Sequence, residues 1–467
     1  MTERQNIALR LVLLFVIGSL LSFVPISNSV TEKTRKVQFA FSADAYQDQA
    51  SLLLELVDEN PWWISLWENA GDSAYLSANY SQAKRSYESA LEKNVLSDNG
   101  KIRLGEVYLI LGDDLSADTI WKDLGESPAA LKRLAELYEE QGNLEAAVET
   151  WRTYLIESEE GSTKELLYHY GLLSAAYQPE GALSNLDQVA EDFPGAATVL
   201  TAIQDSMAEE PAYQYTATGQ ALASIGEWRL AGFAFEKASV LRPDYLEAWA
   251  YWGEALQHVE APTIEPLEAL EKALAIDGNS ALANMFLGLY WQREGSHNKA
   301  LEYFEIVEDI WPDNPDVFIE QGRSQAALGN LETAAEKFQQ AIDLDPQKGL
   351  YYSQLAEFCV NYSYQVKESG LPAARLAVQF DNQNPFFLDV MGQVLLDLQD
   401  EMNALVFFQR ALEIDPGYAP AYFHLGILYS SREDGERTVY YLQQALQHSN
   451  NLALTNQVDR LLSNYLP

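Results

Sequence analysis

Residues 281–314, ALANMFLGLYWQREGSHNKALEYFEIVEDIWPDN, and residues 315–348, PDVFIEQGRSQAALGNLETAAEKFQQAIDLDPQK, decide how the chain is read. Laid one over the other, Gly288 meets Gly322, Gly295 meets Gly329, Ala300 meets Ala334, Phe304 meets Phe338 and Pro312 meets Pro346. Each half carries apolar residues at i, i+3, i+4 and i+7, the spacing of one helical face. Phe318, Gly322 and Gln325 share a face of a first helix, and Ala334, Phe338 and Ala341 share a face of a second. Gly322 and Ala334 are small because the two backbones cross there, and a larger side chain would hold them apart. Gly329 supplies the turn, and Pro346 cannot continue the second helix. One hairpin cannot bury both stripes alone, so neighbouring hairpins must stack.

This 34-residue period, with a small residue early, Gly in the turn, Ala and an aromatic in the second half and a closing Pro, resembles the tetratricopeptide repeat (TPR). The resemblance implies an all-α fold, a right-handed superhelical solenoid of antiparallel helix pairs with the first helix of each pair lining a concave surface. It implies binding as the mode of action and leaves the partner open.

The pattern extends both ways. AYQDQASLLLELVDEN (45–60) reads as a single helix, and residues 37–63 as a leading cap. Residues 64–194 hold about four repeats. Gly71 with Tyr87, Gly105 with Trp121 and Ala135 with Trp151 mark the first three, and a degenerate fourth runs through Gly171 and Leu186 to Pro194. Residues 195–211 fit no full repeat and read as an irregular helical connector. About seven repeats fill 212–452, one of them with a longer turn near 369–372, and residues 453–467 read as a capping helix.

Against 30 basic residues the chain sets 69 acidic ones, a formal charge of −39. Such a field repels nucleic acid and anionic lipid, so no nucleic-acid partner is expected. The single cysteine, Cys359, sits at an apolar first-helix position and excludes both an internal disulfide and a cysteine-based zinc site. His169, His258, His297, His424 and His448 show no HxxxH spacing, and no phosphate loop or nucleophile elbow occurs. Repeats leave no room for a catalytic domain, so no catalytic residue, metal or cofactor is expected.

The N-terminus differs from all that follows. Arg4 and Arg10 precede the apolar run Leu11–Val24, then Pro25 and a polar stretch with Ser27, Asn28 and Ser29. Fourteen apolar residues suit a cleaved secretory signal, and counting the flanking apolar residues gives an uncleaved anchor of about 20. Both readings of residues 1–36 put the repeats outside the cytoplasm: in a single-pass membrane protein, or in a secreted or periplasmic one. Lys33, Arg35 and Lys36 beyond the run oppose that orientation. No cysteine follows it, so no lipoprotein anchor is expected.

In the TPR family, first-helix positions 2, 5, 9, 12 and 13 line the groove. Carried onto this chain they are Leu282, Met285, Leu289, Gln292 and Arg293 in one repeat, and Asp316, Ile319 and Arg323 in the next, flanked by Glu254 and Glu357. The groove therefore reads as apolar in its middle, with two arginines in an acidic wall. That mixture suits a peptide with apolar and basic residues, bound to a non-enzymatic scaffold that assembles or organises a cell-envelope complex. The carboxylate clamp of chaperone-binding repeats is not reproduced, since Lys132 is followed by Glu136 where the clamp needs Asn. An alternative is an accessory subunit of a surface polysaccharide or glycosylation system, contacting glycan through aromatics such as Tyr251 and Trp291.

Overall fold

The structure, a computed structural model, describes residues 28–42, 46–60, 62–64, 66–158, 163–259, 264–449 and 451–465. Every regular element among them is helical: 26 α-helices and one short π-helix. The apolar run Leu11–Val24 lies outside the described residues. No helix of the described residues is long and apolar enough to cross a membrane.

The chain forms two compact units, 1–200 and 201–467. In unit 1 the helix Asn28–Ser42 packs on Tyr46–Glu59, so a second helix accompanies the single one expected there. Lys33 ties the two together, 3.0 Å from Glu55 and 2.6 Å from Glu59. Hairpins follow as Leu66–Leu76 with Tyr80–Glu92, Asp98–Ile110 with Asp114–Lys122, Pro128–Glu140 with Leu144–Glu157, and Lys164–Tyr177 with Pro179–Asp187. Where the sequence suggested an irregular connector there is an amphipathic helix, Pro194–Ser206, with Ala196, Val199 and Ile203 buried.

Unit 2 pairs Pro211–Ser224 with Trp228–Leu241, Leu246–Leu256 with Pro266–Ile276, Ala281–Arg293 with His297–Ile310, and Pro315–Ala327 with Leu331–Leu344. Gly349–Asn361 then pairs with Leu371–Phe380 through the π-helix Val366–Gly370. Pro385–Asp397 with Glu401–Ile414 and Ala419–Ser431 with Gly435–His448 complete the pairs, and Leu452–Leu462 packs on the last helix. Each first helix from Leu246–Leu256 onward also touches the first helix of the next hairpin, so these helices together form one continuous face.

One contact recurs in both units. A Cβ on Gly288 would meet the ring of Phe304 at 2.3 Å, and Gly71, Gly105, Gly219 and Gly392 stand the same way against Tyr87, Trp121, Phe235 and Phe408. Leu186, Leu270 and Leu442 take the aromatic's place opposite Gly171, Gly253 and Gly426. Each of these large side chains is buried, contributing roughly 1.5–3 kcal/mol relative to exposure.

Helix ends are written locally. Asn79, Asp113, Asn143, Asp400 and Asp434 cap second helices by accepting a backbone N–H from the third residue along. After second helices, Asp277, Asp345, Asp381 and Asp415 each accept the N–H two residues on and close the turn into the next hairpin.

The longer turn expected near 369–372 lies earlier, at residues 362–365, because 369–372 continue from the π-helix into the α-helix. Cys359 is fully buried and its thiol is pushed up to about 12 by burial, as befits an inert core residue.

Candidate functional site

The face made by the first helices of unit 2 holds the groove residues named from the sequence, and the structure gives them different fates. Leu282, Met285 and Leu289 are half-buried, each packing its inner side on a core cluster while leaving apolar surface outward. Ile319 is only 2 % exposed and belongs to the core, so it offers no contact surface. Gln292 is a bridge between hairpins, its amide donating to the Glu320 carbonyl at 3.1 Å and to Ser324 Oγ at 3.0 Å.

Arg293 and Arg323 are exposed in part but already engaged. Arg293 donates to Glu254 from both terminal nitrogens, at 2.9 and 2.6 Å, and to Gln257 Oε1 at 2.8 Å. Glu254, only 7 % exposed, is also 3.1 Å from His258 Nε2. Burial alone would raise its pKa, but hydrogen bonds from His258 and Arg293 outweigh that and hold it below the usual carboxylate value. Arg323 pairs with Glu320 at 2.9 Å, and Asp316 accepts from the Tyr351 hydroxyl at 2.7 Å.

Further along the face the carboxylates outnumber their partners. Glu320 is 9 % exposed and its Oε2 is buried without a hydrogen-bond partner. Burial pushes its pKa up, and Arg323 offsets only part of the rise. Glu357 is raised as well, by burial first, with Asp389 adding to the rise and Arg323 and His424 opposing it. Asp389, 1 % exposed, is satisfied by His424 Nδ1 at 2.8 Å and Gln393 Nε2 at 3.0 Å. Three acidic groups thus share Arg323 and His424, and the local field favours a cation arriving from outside.

Glu320 and His424 were not among the groove residues named from the sequence. Glu320 had a signal: a glutamate beside Ile319 on a helix whose neighbours turn inward. His424 had none, since its partner Asp389 is 35 residues away.

The aromatics considered for glycan contact are occupied within the protein. Tyr251 stacks on Phe235 and meets Phe286 edge-on, each at 5.4 Å between centroids. Trp291 lies 5.0 Å from Tyr290 and under Lys299, whose Nζ is 3.2 Å from the ring centre.

With the hairpins and this face described, the class is an all-α array of antiparallel helix pairs. Residues 316–348 match the family model described as tetratricopeptide repeat. The TPR repeat-containing protein YpiA of Bacillus subtilis (strain 168) is 23 % identical over 323 residues, covering 66 % of this chain and 69 % of YpiA. The peroxisomal targeting signal receptor of Komagataella phaffii is 27 % identical over 175 residues, and there the match covers 28 % of this chain and only 30 % of the receptor. Among solved structures, yeast Tom70 has a TM-score of 0.44 at 15 % identity, with 93 % of this chain and 96 % of that one covered. The APC/C Cut9–Hcn1 assembly gives 0.43 at 14 %, with 95 % and 98 % covered.

Proposed function

We propose that this chain is a non-catalytic scaffold that binds an extended or helical peptide of a partner protein on the first-helix face of unit 2. The observation that carries this reading is that one first-helix face holds half-buried Met285 and Leu289 together with the under-partnered carboxylates Glu320 and Glu357. Apolar surface of that kind anchors side chains, and buried carboxylates short of partners select a basic residue beside them. The partner is therefore a peptide with apolar and basic residues. Relatives whose names describe receptors for targeting signals support binding as the mode of action.

The setting we propose is the cell envelope, with the repeats outside the cytoplasm and the chain organising a complex there. Arg4 and Arg10 ahead of the apolar run Leu11–Val24 support it. Protease accessibility in intact cells tests the location, and a protected, cytoplasmic repeat region would refute it.

The binding role is tested by photocrosslinking. A photoreactive residue at Met285 should capture a discrete partner, and one at Val240, on the exposed side of a second helix, should not. Glu357→Arg should abolish the Met285 adduct while leaving the circular dichroism unchanged. No adduct at Met285, or equal capture from both positions, would refute the reading.

A further inference from the structure

The hairpin 349–380 breaks the period of its neighbours. From Pro315 to Gly349 the first helices repeat after 34 residues, but from Gly349 to Pro385 after 36. Ser363 (φ 49°) holds the ordinary turn position that Gly329 holds one hairpin earlier, and the two extra residues are absorbed just after it, where Gln365 (φ 47°) also takes the left-handed conformation without being glycine. The π-helix Val366–Gly370 follows directly. Strained non-glycine backbone and π-turns are both costly and concentrate at functional sites.

This irregularity borders a cavity of about 500 Å³ between helix Leu331–Leu344 and the irregular hairpin, away from the groove residues of the first-helix face. Ile342 and Leu355 are buried beneath it, and Tyr352 and Tyr364 are half-buried at its walls. Gln365 steadies the second ring, its amide donating to the Tyr364 hydroxyl at 3.1 Å while Ser369 Oγ donates to Gln365 Oε1 at 2.9 Å. Glu332, Glu336 and Glu368 also line it, and none of the three has an ion pair or hydrogen bond among the described residues. No lysine or arginine lines the cavity.

From this we infer that the cavity beside the π-helix is a second docking site, which takes a short peptide segment bearing an arginine or lysine next to an apolar side chain. The apolar floor takes the aliphatic side chain. The three unpaired carboxylates take the cation beside the tyrosine walls. The volume falls within the range of ligand-sized pockets and holds two such side chains. A second copy of this chain is disfavoured as occupant by the formal charge of −39 on each molecule. The inference stands on a different face from the groove and does not depend on it.

The test uses calorimetric titration of the full chain with a terminally blocked peptide of alternating leucine and arginine, its glutamate-for-arginine counterpart, and spermidine. The arginine peptide should saturate a site that the glutamate peptide does not occupy and that persists in the Glu357→Gln chain. The triple variant Glu332→Gln, Glu336→Gln, Glu368→Gln should weaken it about tenfold, since three exposed charge contacts of modest strength are lost. Ala335→Trp, which fills the cavity without touching its charges, should weaken it comparably. Glu357→Gln on the first-helix face should leave it unchanged. Equal affinity across all variants, or loss with Glu357→Gln alone, would overturn the assignment. Spermidine binding as tightly as the peptide, with the same dependence on the three glutamates, would overturn the peptide in favour of a small polyamine.

Discussion

Arg293 reaches from its own hairpin to the one before and closes on Glu254 with both guanidinium nitrogens, at 2.9 and 2.6 Å. The carboxylate is nearly buried and the arginine partly exposed, so the pair is asymmetric: losing the arginine leaves a desolvated carboxylate with only His258 and Gln257 beside it, whereas losing both removes that charge. Arg293→Leu should therefore destabilise unit 2 by about 2 kcal/mol, below the full cost of a wholly buried pair because water reaches the arginine. Arg293→Leu combined with Glu254→Leu should cost less than the single change. Denaturant midpoints of the three proteins decide it, and an additive double variant would mean that the contact does not couple the hairpins. The same geometry makes Arg293 a poor probe of binding, because its substitution changes the stack as well as the surface.

Carboxylates on this face are pushed in opposite directions, and the pH dependence follows from the signs. Glu254 has a lowered folded-state pKa, so its contribution is present above the unfolded value near 4.5 and is lost as pH falls through the folded one. Glu320 and Glu357 have raised values, so ionising them opposes folding, and that penalty is relieved as pH falls from neutrality through their folded-state pKa values. Stability should rise on acidification from pH 7.5 to about 5 and drop below about 4.5. The overall charge of −39 adds to the rise, so the discriminating measurement is a difference. Glu320→Gln with Glu357→Gln should flatten the melting-temperature rise between pH 7.5 and about 5 relative to the parent. A parallel curve would mean that neither group carries the penalty.

The repeating contacts were legible because each is local to one hairpin. Gly288 and Phe304 are 16 residues apart, and the same spacing joins Gly71 to Tyr87, Gly105 to Trp121, Gly219 to Phe235 and Gly392 to Phe408. The face itself was less legible. Ile319 occupies a groove position by count, yet it turns into the core, since the position number fixes the helix face only to within the rotation of each hairpin. Arg293 could be placed on the face, but not its partner 39 residues earlier, because nothing local to either residue encodes the inter-hairpin distance. The two extra residues of the irregular hairpin were visible as a longer turn. Their placement depended on where the backbone could make a π-turn, with the Ser369 and Gly370 N–H groups both donating to the Gln365 carbonyl.

Close approach at the glycine–aromatic crossing should make substitution costs graded. A Cβ on Gly288 would sit 2.3 Å from the ring of Phe304, whereas on Gly322 the nearest ring atoms of Phe338 are 3.1 Å away. Gly288→Ala should lower stability by about 1–3 kcal/mol, the range for overpacking a filled core. Gly322→Ala should cost distinctly less, and the chain already tolerates alanine at the equivalent Ala135 opposite Trp151, both buried. Thermal melts of the two variants test the order, and a larger loss for Gly322→Ala would contradict the packing argument.

Turns inside the hairpins offer the opposite experiment, a gain of stability. Gly112, Gly142, Gly226, Gly295 and Gly329 all have positive φ after a first helix, but the matching places hold Ala78 (φ 57°), Ser363 (φ 49°), Gln399 (φ 62°) and Glu433 (φ 58°). A residue with a Cβ pays roughly 1–2 kcal/mol in this region, partly offset because glycine has more freedom to lose on folding. The Gln399 side chain is exposed and makes no hydrogen bond among the described residues, so nothing else is lost with it; its backbone N–H bond to Leu396 remains available to glycine. Gln399→Gly should raise stability by about 1 kcal/mol, and Gly329→Ala should lower it by a similar amount. Because both turns lie in unit 2, the two shifts can be read from the same unfolding transition. If Gln399→Gly destabilised instead, the chain entropy released in the unfolded state would outweigh the strain, and left-handed geometry would not explain why glycine fills most of these turns.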